Sequence, residues 1–115
     1  MKIAIIGQGY VGRSIAEASV GAGHSVIGFD TDSSVISALK INGDYQGTTD
    51  ASFIGSAEVV VIAVPTPLDS ARKPDLSAVH AACKTIIEHA KSQVLVINES
   101  TSYPGTLRNE IAAVI

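Results

Sequence analysis

The chain has 115 residues, a length typical of one domain, and 46% of them are hydrophobic against 17% charged. Its net charge of −3, with scattered basic residues, argues against a nucleic-acid partner or a membrane-surface partner. No apolar run reaches the roughly 18 residues of a transmembrane helix. The single cysteine excludes an internal disulfide and fits a reducing cytoplasm. We therefore expect one cytoplasmic domain over residues 1–115.

The first predicted element is a strand at residues 3–6, which runs directly into a glycine motif. That motif reads Gly7-Gln8-Gly9-Tyr10-Val11-Gly12 and opens an amphipathic helix. Such a turn brings backbone N–H groups to a dinucleotide pyrophosphate at a helix N-terminus, where the helix dipole favours negative charge. In this interpretation Gly7 permits the turn, Gly9 leaves room for the phosphates and Gly12 lets the helix pack on its strand. The alternative is a glycine turn in an unrelated strand–helix unit.

A second strand is predicted over Ser25–Phe29, and it ends at Asp30. This acid lies 18 residues after Gly12, close to the spacing of about 20 at which dinucleotide-binding folds place a ribose-binding carboxylate. Asp32 adds negative charge, and residues 30–38 contain no Arg or Lys, so a 2′-phosphate would meet unscreened negative charge. The pattern favours NAD over NADP. The alternative role for Asp30 is to cap the next helix.

The rest of the chain continues the alternation of helices and strands. The predicted elements are a helix ending at residues 42–43, a connection with a short helix near 51–56, a strand at 59–63, a long helix capped by Asp75 and a strand at 93–97. This pattern predicts an α/β fold, a Rossmann-type doubly wound parallel sheet of about four strands with helices on both faces. Since the complete fold has about six strands, we expect the chain to be a fragment of a longer protein.

Ligands of an open parallel sheet bind beyond the carboxyl ends of its strands. Four predicted loops lie at that edge, at residues 7–12, 30–32, 64–69 and 98–106. Cys83 falls instead on the apolar stripe of the long helix, so we interpret it as a small buried hydrophobe. The three histidines lack a spacing that would bring them to one ion, and no metal site is predicted.

Four motifs, in the same order along the chain, resemble those of the UDP-glucose/GDP-mannose dehydrogenase family. They are the glycine motif, Val64-Pro65-Thr66-Pro67-Leu68-Asp69, Lys73-Pro74-Asp75-Leu76-Ser77 and Glu99-Ser100-Thr101-Ser102-Tyr103-Pro104-Gly105-Thr106. The last block most resembles the branch that oxidises UDP-N-acetylhexosamines, in particular UDP-N-acetylglucosamine 6-dehydrogenases. The resemblance implies the N-terminal NAD-binding domain of an oxidoreductase of polysaccharide biosynthesis. Such enzymes take the C6 alcohol of a nucleotide sugar to a carboxylate and reduce two NAD.

The resemblance also implies roles for residues of this sequence. Those implied to contact NAD are Gly7, Gly9, Tyr10, Val11, Gly12, Asp30, Pro65, Thr66 and Thr101. Thr101 would also place a water or the reacting oxygen near the nicotinamide, and Glu99 falls where this branch has its acid. For Thr66, Glu99 and Thr101 the alternative is hydrogen bonding within loops.

The nucleophilic cysteine, the active-site lysine and the asparagine of the family lie in later segments that this chain lacks. We therefore expect the chain alone to bind NAD without turnover, and the full-length enzyme to act on a UDP-sugar as a homodimer. Two other interpretations remain open. One is an NAD(P)-dependent dehydrogenase of the 3-hydroxyacid or 6-phosphogluconate type, which shares the glycine motif, and the other is a non-enzymatic NAD-binding module.

Overall fold

Strands and helices alternate along the computed structural model, which describes residues 1–42, 45–68, 70–73 and 75–100. The elements are, in chain order, β1 (Lys2–Ile6), α1 (Tyr10–Gly21), β2 (Ser25–Phe29), α2 (Ser33–Asn42), β3 (Gln46–Thr48), a 3₁₀ helix (Ala51–Ser56), β4 (Val59–Ile62), α3 (Ser77–His89) and β5 (Leu95–Asn98). The predicted α/β alternation is confirmed. None of the helices in these ranges is long and apolar enough to cross a membrane.

The five strands form one parallel sheet in the order β3-β2-β1-β4-β5. β1 lies at its centre, where Ile3 pairs with Val26 of β2 on one side and with Val59 of β4 on the other. The chain moves outwards from β1 to β3 and then returns to place β4 on the opposite side of β1. The strand order therefore reverses between β1 and β4, and open α/β sheets bind ligands in the crevice at such a point.

The sheet has one strand more than the four predicted, and the additional strand is β3. Its residues, Gln46–Thr48, show neither the β-branched composition nor the alternation that indicates a strand in a sequence. The strand conformation of β3 comes instead from its pairing with β2, in which Gly47 lies opposite Gly28. Gly47 also packs closely under α2, where an added Cβ would lie 2.8 Å from Leu39 Cδ1. Tertiary contacts, rather than local propensity, therefore determine this strand.

Two apolar layers cover the sheet, and β4 contributes to both. Val60 and Ile62 point into the layer formed with α3, whereas Val59 and Val61 point into the layer formed with α1. All four are buried. Successive side chains of a strand face opposite sides of the sheet, so a strand that is covered on both faces needs a continuous apolar run. This explains the unbroken β-branched sequence of β4.

Cys83 lies in the α3 layer with no exposed surface. Burial raises the pKa of its thiol, because the apolar surroundings disfavour the thiolate. A neutral, enclosed thiol is a poor nucleophile. The interpretation of Cys83 as a buried hydrophobe is therefore confirmed.

Candidate cofactor-binding site

A cleft of about 610 Å³ opens at the carboxyl ends of β1, β2 and β4. Small side chains of α3, among them Ala78 and Ala82, line one wall. The sequence-predicted residues that line the cleft are Gly7, Gly9, Tyr10, Val11, Asp30, Pro65, Thr66 and Glu99. Gly12 is buried behind the glycine loop, and Thr101 lies outside the described residues. The fold thus brings residues from four separate loops to one cavity, whose size is typical of a small-molecule site.

The turn from β1 into α1 requires glycine at two positions. Gly7 has a φ of +97°, and a Cβ there would lie 2.5 Å from the carbonyl oxygen of Ala63. A Cβ at Gly12 would lie 1.8 Å from the carbonyl oxygen of Gly7, so the first turn of α1 rests directly on the loop. Gly9 differs from both, because an added Cβ would find no atom within 4 Å. Gly9 therefore faces open space where the loop borders the cleft.

The N-terminus of α1 faces the same cleft. Gly9 is the N-cap residue and offers no side-chain acceptor, and the first turn contains no acidic residue. The first N–H groups of a helix have no partner within the helix and carry the positive end of its dipole. This helix end is therefore suited to an anionic group.

Asp30 uses both carboxylate oxygens to hold backbone N–H groups. Oδ2 accepts from the N–H of Gln8 at 2.9 Å, and Oδ1 accepts from the N–H of Asp32 at 2.9 Å. The side chain that caps α2 is Asp32, whose Oδ1 accepts from the N–H of Ser34 at 2.9 Å. The alternative in which Asp30 caps this helix is therefore wrong. Asp30 instead joins the end of β2 to the glycine loop.

The sequence motifs predict no role for Gln8. Among the described residues, Gln8 is the polar residue whose side chain is buried, and it is 1% exposed. Its Nε2 donates to the carbonyl oxygens of Ile5 and Gly7, each at 3.1 Å. Its Oε1 accepts from the hydroxyl of Tyr45 at 2.5 Å. A polar residue between two glycines does not belong to any helix or strand periodicity, so the sequence pattern does not indicate that Gln8 is buried. The one hint in the sequence is Gly28 within a predicted strand, since such a glycine often marks a close approach.

The ends of β4 and β5 are joined by Ser100, another residue without a predicted role. Its Oγ accepts from the N–H of Val64 at 3.0 Å and donates to the carbonyl oxygen of Ile62 at 3.3 Å. The N–H of Glu99 also donates to Ile62, at 2.8 Å. These bonds fix the backbone that leads into Pro65 and leave the exposed Glu99 side chain at the border of the cleft.

Comparison with known proteins identifies the family of this chain. Residues 34–115 match the model of the UDP-glucose/GDP-mannose dehydrogenase family, NAD binding domain. Protein CapL of Staphylococcus aureus is 36% identical over 98% of this chain and 30% of its own length. UDP-N-acetyl-D-glucosamine 6-dehydrogenase of Pseudomonas aeruginosa is 31% identical over 100% of this chain and 31% of its own length.

A solved structure of a nucleotide-sugar dehydrogenase has the same fold as this chain. GDP-mannose dehydrogenase from Pseudomonas aeruginosa superposes with a TM-score of 0.90 and 29% identity, over 99% of this chain and 31% of that one. The chain thus spans less than a third of the length of each of these three proteins. On the family match and the shared fold, this chain belongs to the UDP-glucose/GDP-mannose dehydrogenase family and carries its NAD-binding domain.

Proposed function

We propose that this chain is the N-terminal NAD-binding domain of a longer nucleotide-sugar 6-dehydrogenase. The full enzyme oxidises the C6 alcohol of a UDP-sugar to the uronate with reduction of two NAD. UDP-N-acetylglucosamine or UDP-N-acetylmannosamine is favoured over UDP-glucose. The observation that carries the proposal is the cleft in which Asp30 faces the open N-terminus of α1. The choice of sugar is based on the resemblance of the block at residues 99–106 to the branch that oxidises UDP-N-acetylhexosamines.

The described residues fit NAD in size, charge and position. The α1 N-terminus would bind the pyrophosphate, with Gly9 giving the space that phosphate oxygens need. Asp30 has lone pairs left after its two backbone bonds and would accept from the adenosine ribose hydroxyls. Tyr10, 88% exposed at the rim, would cover the cofactor. When bound, NAD supplies the acceptor for hydride.

Charge beside the ribose site favours NAD over NADP. Hydrogen bonds from the hydroxyl and the N–H of Ser34 lower the pKa of Asp32, so this carboxylate stays ionised at neutral pH. Asp30 and Asp32 would both face a 2′-phosphate. These two carboxylates would therefore repel the 2′-phosphate of NADP, which NAD lacks.

The β5 side of the cleft would serve the reacting end. We assign Thr101 to the nicotinamide and to a water or reacting oxygen, Glu99 to an auxiliary acid role, and Pro65 and Thr66 to the cleft wall. The nucleophile belongs to a later segment, because Cys83 is enclosed by the core. Residues 1–115 alone would bind NAD without turnover. The full enzyme would be a cytoplasmic homodimer without a nucleic-acid or membrane partner.

Family membership removes the interpretation as a 3-hydroxyacid or 6-phosphogluconate type of dehydrogenase. The remaining alternative is an NAD-binding module without enzymatic activity. Mass spectrometry of peptides from source cells separates the two. Peptides that continue past Ile115 and include a cysteine in a polar segment would support the enzyme. A native chain that ends at Ile115 would contradict it.

The activity test uses the native full-length protein with each candidate UDP-sugar and either NAD or NADP. We expect two NADH formed per sugar, detected by absorbance, and a clear preference for NAD. The N-acetylated UDP-sugars should give the highest kcat/KM. Absence of NADH with every nucleotide sugar would contradict the proposal.

A further inference from the structure

We propose that Gln8, anchored by Tyr45, is a positioning residue for the cofactor. It fixes the peptide unit between Gly7 and Gln8 and so sets the direction of the N–H groups that follow at the start of α1. This inference rests on the proposed NAD site and adds to it a support that lies outside the cleft. Gln8 does not line the cleft itself.

The orientation of the Gln8 amide follows from its partners. Nε2 has two hydrogens, and both are used on the carbonyl oxygens of Ile5 and Gly7 at 3.1 Å. Oε1 receives the hydroxyl hydrogen of Tyr45. A flipped amide would set its oxygen against two carbonyl oxygens, so the network permits one arrangement. Because the side chain is buried, breaking these bonds would leave unsatisfied polar groups in the core.

The peptide unit between Gly7 and Gln8 is held at both ends. Its carbonyl oxygen accepts from Gln8 Nε2 at 3.1 Å, and its N–H donates to Asp30 Oδ2 at 2.9 Å. A planar unit held at opposite edges cannot rotate. Gly12 packs against the same carbonyl. The next backbone groups, at Gly9 and Tyr10, therefore meet the cleft in one direction, which is preorganisation for a phosphate.

Tyr45 connects this unit to the edge of the sheet. It stands directly before β3, 37 residues from Gln8, and packs on the apolar layer that α1 covers. Burial raises the pKa of its hydroxyl, with Arg13 opposing and Glu17 adding to the shift. The hydroxyl therefore remains protonated at neutral pH and keeps its role as donor to Gln8.

Gly28 provides the slot for the Gln8 side chain. An added Cβ at this position would lie 2.5 Å from Cδ, 2.6 Å from Oε1 and 2.8 Å from Nε2 of Gln8. Gly28 is in the middle of β2, opposite Ile5 of β1. A glycine weakens a strand interior, and the room it leaves here is occupied by the positioning amide.

The test separates hydrogen bonding from packing in the native full-length protein. Gln8→Met fills the slot with a side chain of similar length that cannot donate to the Gly7 carbonyl. We expect the Kd for NAD, measured by calorimetry, and the KM for NAD to rise about tenfold, because the competent loop conformation becomes a minor state. At saturating NAD, kcat should stay within about twofold, since the reacting groups are untouched.

A second pair of variants addresses the slot itself. Gly28→Ala alone should lower both the melting temperature and NAD affinity. Adding Gln8→Ala removes the atoms that the new methyl group meets, so the double variant should regain most of the melting temperature. Its Kd for NAD should nevertheless stay about tenfold above that of the unmodified protein. Ile54→Val, in the core beside α3, is the control for destabilisation alone and should leave the Kd unchanged.

The outcomes distinguish this inference from the proposed function. A Kd for NAD within about twofold of the unmodified value in both Gln8→Met and the double variant would overturn the positioning role and leave the proposed function intact. Failure of the unmodified protein to bind NAD would overturn the proposed function, and the inference with it. An equal loss of affinity in Ile54→Val would show an effect of stability and would also overturn the inference.

Discussion

Oδ2 of Asp30 accepts a hydrogen bond of 2.9 Å from the backbone N–H of Gln8. This contact joins the acid at the end of β2 to the glycine loop at the end of β1. The two parts of the proposed NAD site, one for the ribose and one for the pyrophosphate, therefore share a rigid connection. A substitution in the ribose part should therefore also alter the geometry of the pyrophosphate part, and the reverse should hold.

Asp30→Asn should weaken NAD binding and relax the choice of cofactor. The amide has one acceptor oxygen, so it cannot keep both bonds, to the N–H of Gln8 and to that of Asp32. We expect the KM for NAD to rise about tenfold and the preference for NAD over NADP to fall by a similar factor. Steady-state kinetics with both cofactors measure this.

Asp50→Asn is the matched control for Asp30→Asn. Asp50 caps the 3₁₀ helix, where its Oδ1 accepts from the N–H of Ser52 at 3.0 Å, and it does not line the cleft. Its KM values should stay at those of the unmodified enzyme. Equal effects of the two substitutions would contradict a specific role for Asp30.

Gly12→Ala should destabilise the domain severely. The new Cβ would lie 1.8 Å from the Gly7 carbonyl oxygen, and backbone cannot yield there without moving α1 off β1. We expect a loss of about 3 kcal/mol or more, seen as a lower melting temperature. Gly21→Ala, at the other end of the same helix, meets nothing within 4 Å. That control should lie within about 0.5 kcal/mol of the unmodified protein, and a similar melting temperature for both variants would refute the packing argument.

Cys83→Ala should preserve activity and reduce stability. The thiol is fully buried and its pKa is raised, so it contributes packing and no nucleophile. We expect unchanged kcat and a stability loss of about 1–2 kcal/mol from the lost sulfur contacts. Alkylation of Cys83, followed by peptide mass spectrometry, should be slow in the folded protein and fast in denaturant. A folded Cys83→Ala enzyme without activity would show this assignment to be wrong.

Asp75→Asn should reveal a pH-dependent hydrogen bond at the start of α3, where the N-cap residue is Leu76 and not, as the sequence predicts, Asp75. Hydrogen bonds from the hydroxyl and the N–H of Ser77, at 2.6 and 3.0 Å, lower the pKa of Asp75 below its ordinary value of 3.8. A lowered pKa in the folded state adds stability above the unfolded pKa, and this is lost as the pH falls through the folded pKa. The melting temperature of Asp75→Asn should therefore lie below that of the unmodified protein at pH 7. The two melting temperatures should converge under acid conditions, and a difference that persists there would contradict a stabilising role of the Asp75 carboxylate toward Ser77.

The parts of the fold with strong periodic or compositional patterns could be predicted from the sequence. β2 has the predicted limits Ser25–Phe29, and the 3₁₀ helix has the predicted limits Ala51–Ser56. β4, predicted one residue longer, is a β-branched run that leaves little choice of structure. β3 differs because its strand conformation comes from pairing with β2, which no local pattern encodes.

The residues of the candidate site that belong to a sequence motif could be predicted. Those whose role depends on contacts with residues distant in the sequence could not. Gly7 and Asp30 follow from spacing along the chain, and both line the cleft. Gln8 and Ser100 act through hydrogen bonds to residues that are distant in sequence, such as Tyr45 and Ile62. Those partners become neighbours only when the sheet forms, so the sequence alone could not indicate them.

The slot at Gly28 has an evolutionary consequence. A side chain at this position and a glutamine at position 8 exclude each other sterically, and the hydrogen bond from the Tyr45 hydroxyl is made to the side chain of that glutamine. Substitution of one of the three should therefore favour substitution of the others. Homologues of this chain are expected to vary at positions 8, 28 and 45 as a correlated set, although 37 residues separate the first from the last.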